Sequence, residues 1–144
     1  HAVEACWCMF QNEQFKETIR KLNQLGIRQD EPEYYDYVNM MGRCYLGLED
    51  DELAITYLKK WDAEREKLVD DGSEKYQKRQ KREGFIKSVI GVAYQNLKNY
   101  EKAEQYLTQG IAIEKEADVR HSFMDRLAML YYDKKEYEKC IESF

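Results

Sequence analysis

Residues 84–110 read GFIKSVIGVAYQNLKNYEKAEQYLTQG, and this stretch decides the fold. Ile90, Gly91 and Tyr94 fall at i, i+1 and i+4, on one face of a helix. Ala103 and Leu107, four apart, share a face of a second helix. Gly91 has no side chain and Ala103 almost none, so another backbone can approach either one closely. Between the two, Lys98-Asn99-Tyr100 is polar and short, as a tight connection between antiparallel helices needs.

Small and aromatic residues at helical spacing are ordinary core, so recurrence is what makes the pattern specific. The order returns as Met41-Gly42, Tyr45, Ala54, Leu58, and again as Leu127-Ala128, Tyr131, Cys140, Phe144. A weaker copy opens the chain with Ala5-Cys6, Met9, Thr18, Leu22. The two small residues of each copy (6 and 18, 42 and 54, 91 and 103, 128 and 140) are 12 apart every time. Phe15, Tyr100 and Tyr137 each stand three before the second small residue.

This order resembles the tetratricopeptide repeat, TPR, and the resemblance covers nearly the whole chain. It implies an all-α fold, a right-handed α-solenoid of antiparallel helix pairs with about four repeats. One TPR-like domain over 1–144 is expected, with repeats near 1–30, 31–72, 73–117 and 118–144. The sequence also departs from the family. The slot that often holds tryptophan has Ala2, Val38, Lys87 and Met124, and the only proline is Pro32. The interval from Thr18 to Ala54 is 36, from Ala54 to Ala103 is 49, and from Ala103 to Cys140 is 37. Against a repeat of about 34 residues, the middle interval carries about 15 extra.

The extra residues, 69–83, read VDDGSEKYQKRQKRE. Asp70-Asp71-Gly72-Ser73 is a break with a cap residue. Good helix formers follow, so the first helix of the third repeat is predicted to extend backwards, from about Ser73 to Leu97. Lys75, Lys78, Arg79, Lys81 and Arg82 form a basic patch on that extension. The plainer reading is a solvated helix end that projects from the solenoid. The functional reading is a contact for an acidic partner surface or a phosphate. Asp51 is predicted to cap the helix from about Glu52, and Gly26 to stop the one over 14–25.

Composition narrows the function. The chain is 43% hydrophobic and 35% charged, with a net charge of −5, which argues against a general nucleic-acid binder. No apolar run reaches the length of about 18 needed to span a bilayer, so no membrane partner is expected. Of the four cysteines, Cys6 and Cys140 sit in small-residue slots, and Cys44 adjoins Tyr45 on a helix that reads as buried. Reduced thiols and a cytoplasmic location follow from that reading. No CxxC is present, and the two histidines are far apart, so no metal or cofactor is expected. The missing initiator Met and the apolar end at Phe144 lead us to expect an excerpt of a longer protein, with self-association through the last helix as one consequence.

No catalytic constellation is found: no Ser-His-Asp order, no glycine-rich phosphate loop, no HExxH. Paired acids such as Asp50-Asp51 and Asp70-Asp71 fall in turns. The chain therefore reads as a non-enzyme. The resemblance implies binding of a protein or peptide, since first helices of successive repeats line a concave groove in this family. The register places Val3, Trp7 and Phe10 there, then Asp36, Asn39, Arg43 and Leu46. Phe85, Ser88, Val92 and Gln95 follow, then Ser122, Asp125, Met129 and Tyr132. Asn39 and Arg43 are the expected polar contacts, with Asp36 and Gln95 beside them, and Trp7, Phe85 and Tyr132 the aromatic anchors. The carboxylate clamp of chaperone-binding members needs Lys and Asn where this chain has Val3 and Trp7, although Arg126 survives near one basic position. A scaffold binding a partner segment is thus the first expectation. The alternative is a peptide-sensing module similar to those of bacterial quorum-sensing regulators.

Overall fold

The computed structural model describes residues 3–134 and Glu142, and every regular element among them is helical. The chain divides into two compact units, His1–Glu66 and Lys67–Phe144. The first unit opens with a 3-10 turn, Glu4–Cys6, followed by α1 (Trp7–Gln11), α2 (Phe15–Gln24), α3 (Tyr34–Gly47) and α4 (Asp51–Glu66). The second holds α5 (Glu74–Gln80), α6 (Glu83–Asn96), α7 (Tyr100–Ile113) and α8 (Ala117–Asp133). The helix expected from Tyr137 onward, with Cys140 and Phe144, lies outside the described residues, as do His1 and Ala2.

One turn is used three times. Glu13, Glu49 and Lys98 adopt left-handed backbone, with φ of 59°, 62° and 63°. Each closes the preceding helix by the same pair of bonds. The Glu13 N–H donates to Phe10 O (3.0 Å) and the Gln14 N–H to Met9 O (2.9 Å). The equivalents are Glu49 to Leu46 O and Asp50 to Tyr45 O, then Lys98 to Gln95 O and Asn99 to Tyr94 O. These bonds satisfy carbonyls that a helix end otherwise leaves open. Each left-handed residue stands seven after the first small residue of its copy, so the spacing of 12 contains the turn.

The turn also moves a cap. The expected cap, Asp51, is already the first residue of α4, and Asp50 caps in its place through a 3.4 Å bond from the Leu53 N–H to Oδ1. With Glu49 in the left-handed position, Asp50 occupies the place that Asn99 holds before α7, where its Oδ1 accepts from the Lys102 N–H at 3.4 Å. Gly26 stops the region after α2 as expected, at φ +59°.

Antiparallel pairing of α6 with α7 rests on missing side chains. A Cβ at Gly91 would stand 2.8 Å from Leu107 Cγ, 3.0 Å from Leu107 N and 3.1 Å from Ala103 O. Seven residues back on α6 and seven on along α7, a Cβ at Gly110 would stand 2.7 Å from Gly84 O. Backbone therefore lies on backbone along two helical turns. Ala103 and Leu107 are fully buried in that seam. In the first unit, α3 packs on α4 in the same sense, with Gly42 against Leu58 and Tyr35 edge-on to the buried Trp61 at 6.2 Å.

The predicted continuous helix over 73–97 is instead two. Ser73 caps α5 as foreseen, its Oγ accepting from the Tyr76 N–H at 3.1 Å. The helix then breaks at Lys81-Arg82, where the Arg82 N–H reaches back only three residues, to Arg79 O. Local propensity favours helix throughout, but α6 is seated on α7 from Gly84 onward, whose Cβ would lie 3.0 Å from Glu114 N. No residue of α5 is buried, so nothing holds that segment to the axis of α6.

In the first unit, Cys6 and Cys44 are buried beside Val3, Leu22 and Met41, while Cys8 is exposed. Burial pushes both core thiols up, Cys44 to about 12. Tyr45 stacks on Tyr57 at 5.6 Å, and Tyr37 stands edge-on to Tyr57 at 6.3 Å. The Tyr37 hydroxyl donates to Asn23 Oδ1 at 3.1 Å, and burial, reinforced by Tyr57, pushes it up to about 12.

Two outcomes are expected. Gly91→Ala and Ala103→Leu each overpack the α6–α7 seam and lower stability by about 1–3 kcal/mol, read from the urea midpoint. An unchanged midpoint for both would show that the seam is not closely packed. The second concerns pH. Tyr37 holds its proton longer in the folded state than in the unfolded one, so its contribution is complete below pH 10.0 and is lost as pH rises to about 12. The urea midpoint should fall across that window, and less steeply in Tyr37→Phe.

Candidate functional site

The first unit carries a hollow built from the start of the chain and one face of α3. Asp36, Asn39 and Arg43, three and four apart, share that face. Val3 is fully buried in the core and pins the opening 3-10 turn against it. Glu4 and Trp7 are thereby brought over α3. Together with Asp36, Asn39 and Met40, these residues line a cavity of ≈ 370 Å³.

The aromatic wall of the hollow is fixed from behind. Trp7 stacks on Phe10 with ring centres 5.1 Å apart, and Phe10 meets Phe15 edge-on at 5.8 Å. The Arg43 guanidinium lies 5.0 Å from the Phe10 ring centre and 5.7 Å from that of Trp7. Arg43 is thus laid across two rings, which fixes its plane and desolvates part of the cation. Trp7 remains 37% exposed. The polar wall is different: Asn39 Oδ1 is buried and has no hydrogen-bond partner. An acceptor left this way costs about 1–3 kcal/mol. The carboxylates of Glu4 and Asp36 add two more acceptors to the same lining. An apolar wall beside three acceptors is suited to an N–H donor carried on an aliphatic stem.

Of the residues singled out by sequence, Trp7, Asp36 and Asn39 therefore meet in one hollow, with Arg43 adjoining. Glu4 and Met40 were not foreseen; Glu4 precedes Trp7 by three, and that helical offset was the available signal. In the second unit, Phe85 is half-buried, under the Arg82 guanidinium at 4.9 Å and edge-on to Phe123 at 5.9 Å. Gln95 is turned inward: its Nε2 donates to Arg126 O at 3.3 Å and ties α6 to α8. Ser88, expected on the same open face, is fully buried against α7 at Gly110. Tyr132 on α8 is 58% exposed. The basic patch lies on α5 and the turn after it, with Lys75, Lys78, Lys81 and Arg82 exposed and Arg79 half-buried. Lys78 is within 3.9 Å of Glu74. Among the described residues, no three His, Cys, Asp or Glu side chains gather as a metal ion would require, and no helix is long and apolar enough to cross a membrane.

Curated proteins give no match. The tetratricopeptide repeat family model matches residues 35–60 and 88–116, which are the bodies of the α3–α4 and α6–α7 pairs. Among solved structures, two forms of the nearly identical TPR-like repeats of a Podosopora anserina protein assigned as a kinesin light chain superpose with a TM-score of 0.70 each. One of the two carries a single substitution. They are 18% and 19% identical to this chain, and each comparison covers 99% of this chain and 69% of that one. Likeness at that identity concerns the fold, a solenoid of TPR-like helix pairs that in general serves as a protein-interaction scaffold. The α3–α4 and α6–α7 pairs, matched in sequence and built on the same turn and the same small-residue seam, are tetratricopeptide repeats.

Proposed function

We propose that the chain is an interaction scaffold that docks a segment of a partner protein in the first-unit hollow. The observation that carries this reading is Asn39 Oδ1, a buried acceptor left without a partner in the wall of an open cavity. A partner's backbone amide, or a basic side chain, satisfies it on binding and recovers its desolvation cost. Glu4 and Asp36 favour a basic residue at this point, and its methylene stem packs on Trp7, Val3 and Met40. Trp7 is the aromatic anchor, and Arg43, held flat on Phe10 and Trp7, is a polar contact for the same segment. Tyr132 and Phe85 are further anchors on the second unit. Gln95 ties α6 to α8 through its Nε2, and its buried Oε1, which has no hydrogen-bond partner, keeps it a candidate contact on the second unit.

The test begins with a peptide display library panned on the full chain, followed by titration calorimetry with the selected peptide. Asn39→Ala and Trp7→Ala should each weaken binding by about 1–2 kcal/mol, the range of an interface residue that matters. Lys102→Ala, an exposed cation placed over Tyr94 in the second unit, should leave affinity unchanged. Selected peptides should be enriched in Lys or Arg. Loss of affinity in Lys102→Ala with none in Asn39→Ala and Trp7→Ala would move the docking face elsewhere.

A further inference from the structure

A second cavity, of ≈ 580 Å³, lies wholly within the second unit and uses none of the residues of the hollow described above. It forms where the Lys81-Arg82 turn meets the link from α7 to α8, Glu114-Lys115-Glu116. Phe85, Ile113 and Val119 supply its apolar lining, and Ile113 is 39% exposed. The sequence offers no local sign of it, because its two sides are some thirty residues apart.

Its charges are unusual for this chain. Lys81, Arg82 and Lys115 all line the cavity, and none has a carboxylate partner among the described residues, in a chain with 28 acidic residues. The face of the Arg82 guanidinium rests on the Phe85 ring at 4.9 Å, which leaves its N–H edge for an acceptor. Two carboxylates share the lining, Glu114 and Glu116. Glu114 is committed to its own link, where Oε1 accepts from the Glu116 N–H at 3.2 Å. Three cations against two carboxylates leave the lining with a net charge of +1. That charge is balanced by one carboxylate and exceeded by a doubly charged phosphate. A nucleic-acid strand would meet Glu114 and Glu116, in a chain whose net charge is −5.

We propose that this cavity binds an acidic segment of a partner protein, in which one carboxylate lies beside an apolar side chain. The apolar side chain packs on Phe85, Ile113 and Val119. The carboxylate takes the free edge of Arg82 and the ammonium groups of Lys81 and Lys115. The site therefore reads an acid next to an apolar residue, and prefers it to the uncharged amide of the same shape and to the larger, tetrahedral phosphate.

The experiment is nitrogen–proton correlation spectroscopy on the full chain, titrated with capped tetrapeptides at up to ~10 mM, enough to register weak sites. One peptide places leucine before glutamate. The others replace that glutamate by glutamine or by phosphoserine, and inorganic phosphate is run alone. Saturable shifts at the amides of Phe85, Ile113 and Val119 are expected with the glutamate peptide, and smaller ones with the other probes. Lys81→Gln and Lys115→Gln, both at exposed positions, should each weaken binding about two- to fivefold, the worth of an exposed charge pair. Equal binding of the glutamine peptide would reduce the site to an apolar cleft and overturn the proposal. Tighter binding of the phosphoserine peptide or of phosphate would overturn it in favour of a phosphate site. No shift with any probe would show that there is no site.

Discussion

Helix backbones in this chain approach one another where side chains are missing, and the rest of the structure follows from that constraint. Gly91 lies on Leu107 and Ala103, and Gly84 on Gly110. A helix pair held at such a distance has little freedom to slide, because any larger residue brought into the seam would clash with main chain. The turn is then determined as well. Seven residues separate the small residue of the first helix from the left-handed residue, and the second helix must begin within two of it. The same accounting explains why Glu13, Glu49 and Lys98 accept a backbone conformation that side chains disfavour. Packing on both sides of the turn leaves the chain no other path.

Fold class, pair boundaries and the close contact at Gly91 and Ala103 were legible because they recur at constant spacing. A repeated interval is a statement about geometry that composition cannot imitate. The left-handed turns were not legible, since Glu and Lys carry no sign of them; only the tertiary seam imposes it. The break between α5 and α6 was hidden for the opposite reason. Residues 75–83 are good helix formers, and the interruption is set by Gly84 meeting Glu114, a contact thirty residues away along the chain.

The candidate site was legible to a similar degree. Asp36, Asn39 and Arg43 share a face by arithmetic, and Trp7 was an evident aromatic. What could not be read was the use of each group. Arg43 is spread over Trp7 and Phe10, and Gln95 turns its Nε2 to Arg126 O. Those outcomes depend on which neighbour reaches a side chain first, and sequence spacing within one helix is silent on that. The orphan acceptor on Asn39 and the unpaired cations of the second unit are features of arrangement alone.

Both tryptophans of the chain, Trp7 and Trp61, belong to the first unit, and their surroundings are opposite. Trp61 is fully buried against Tyr35, whereas Trp7 is more than a third exposed beneath a guanidinium. The second unit contains tyrosine and phenylalanine only. Tryptophan emission therefore reports one half of the molecule, with a blue component from the interior and a red one from the hollow of the first unit. Far-ultraviolet dichroism reports the helices of both halves. The two signals together separate the melting of one unit from that of the other without any label, and their coincidence or divergence measures whether the repeats unfold as a single cooperative body.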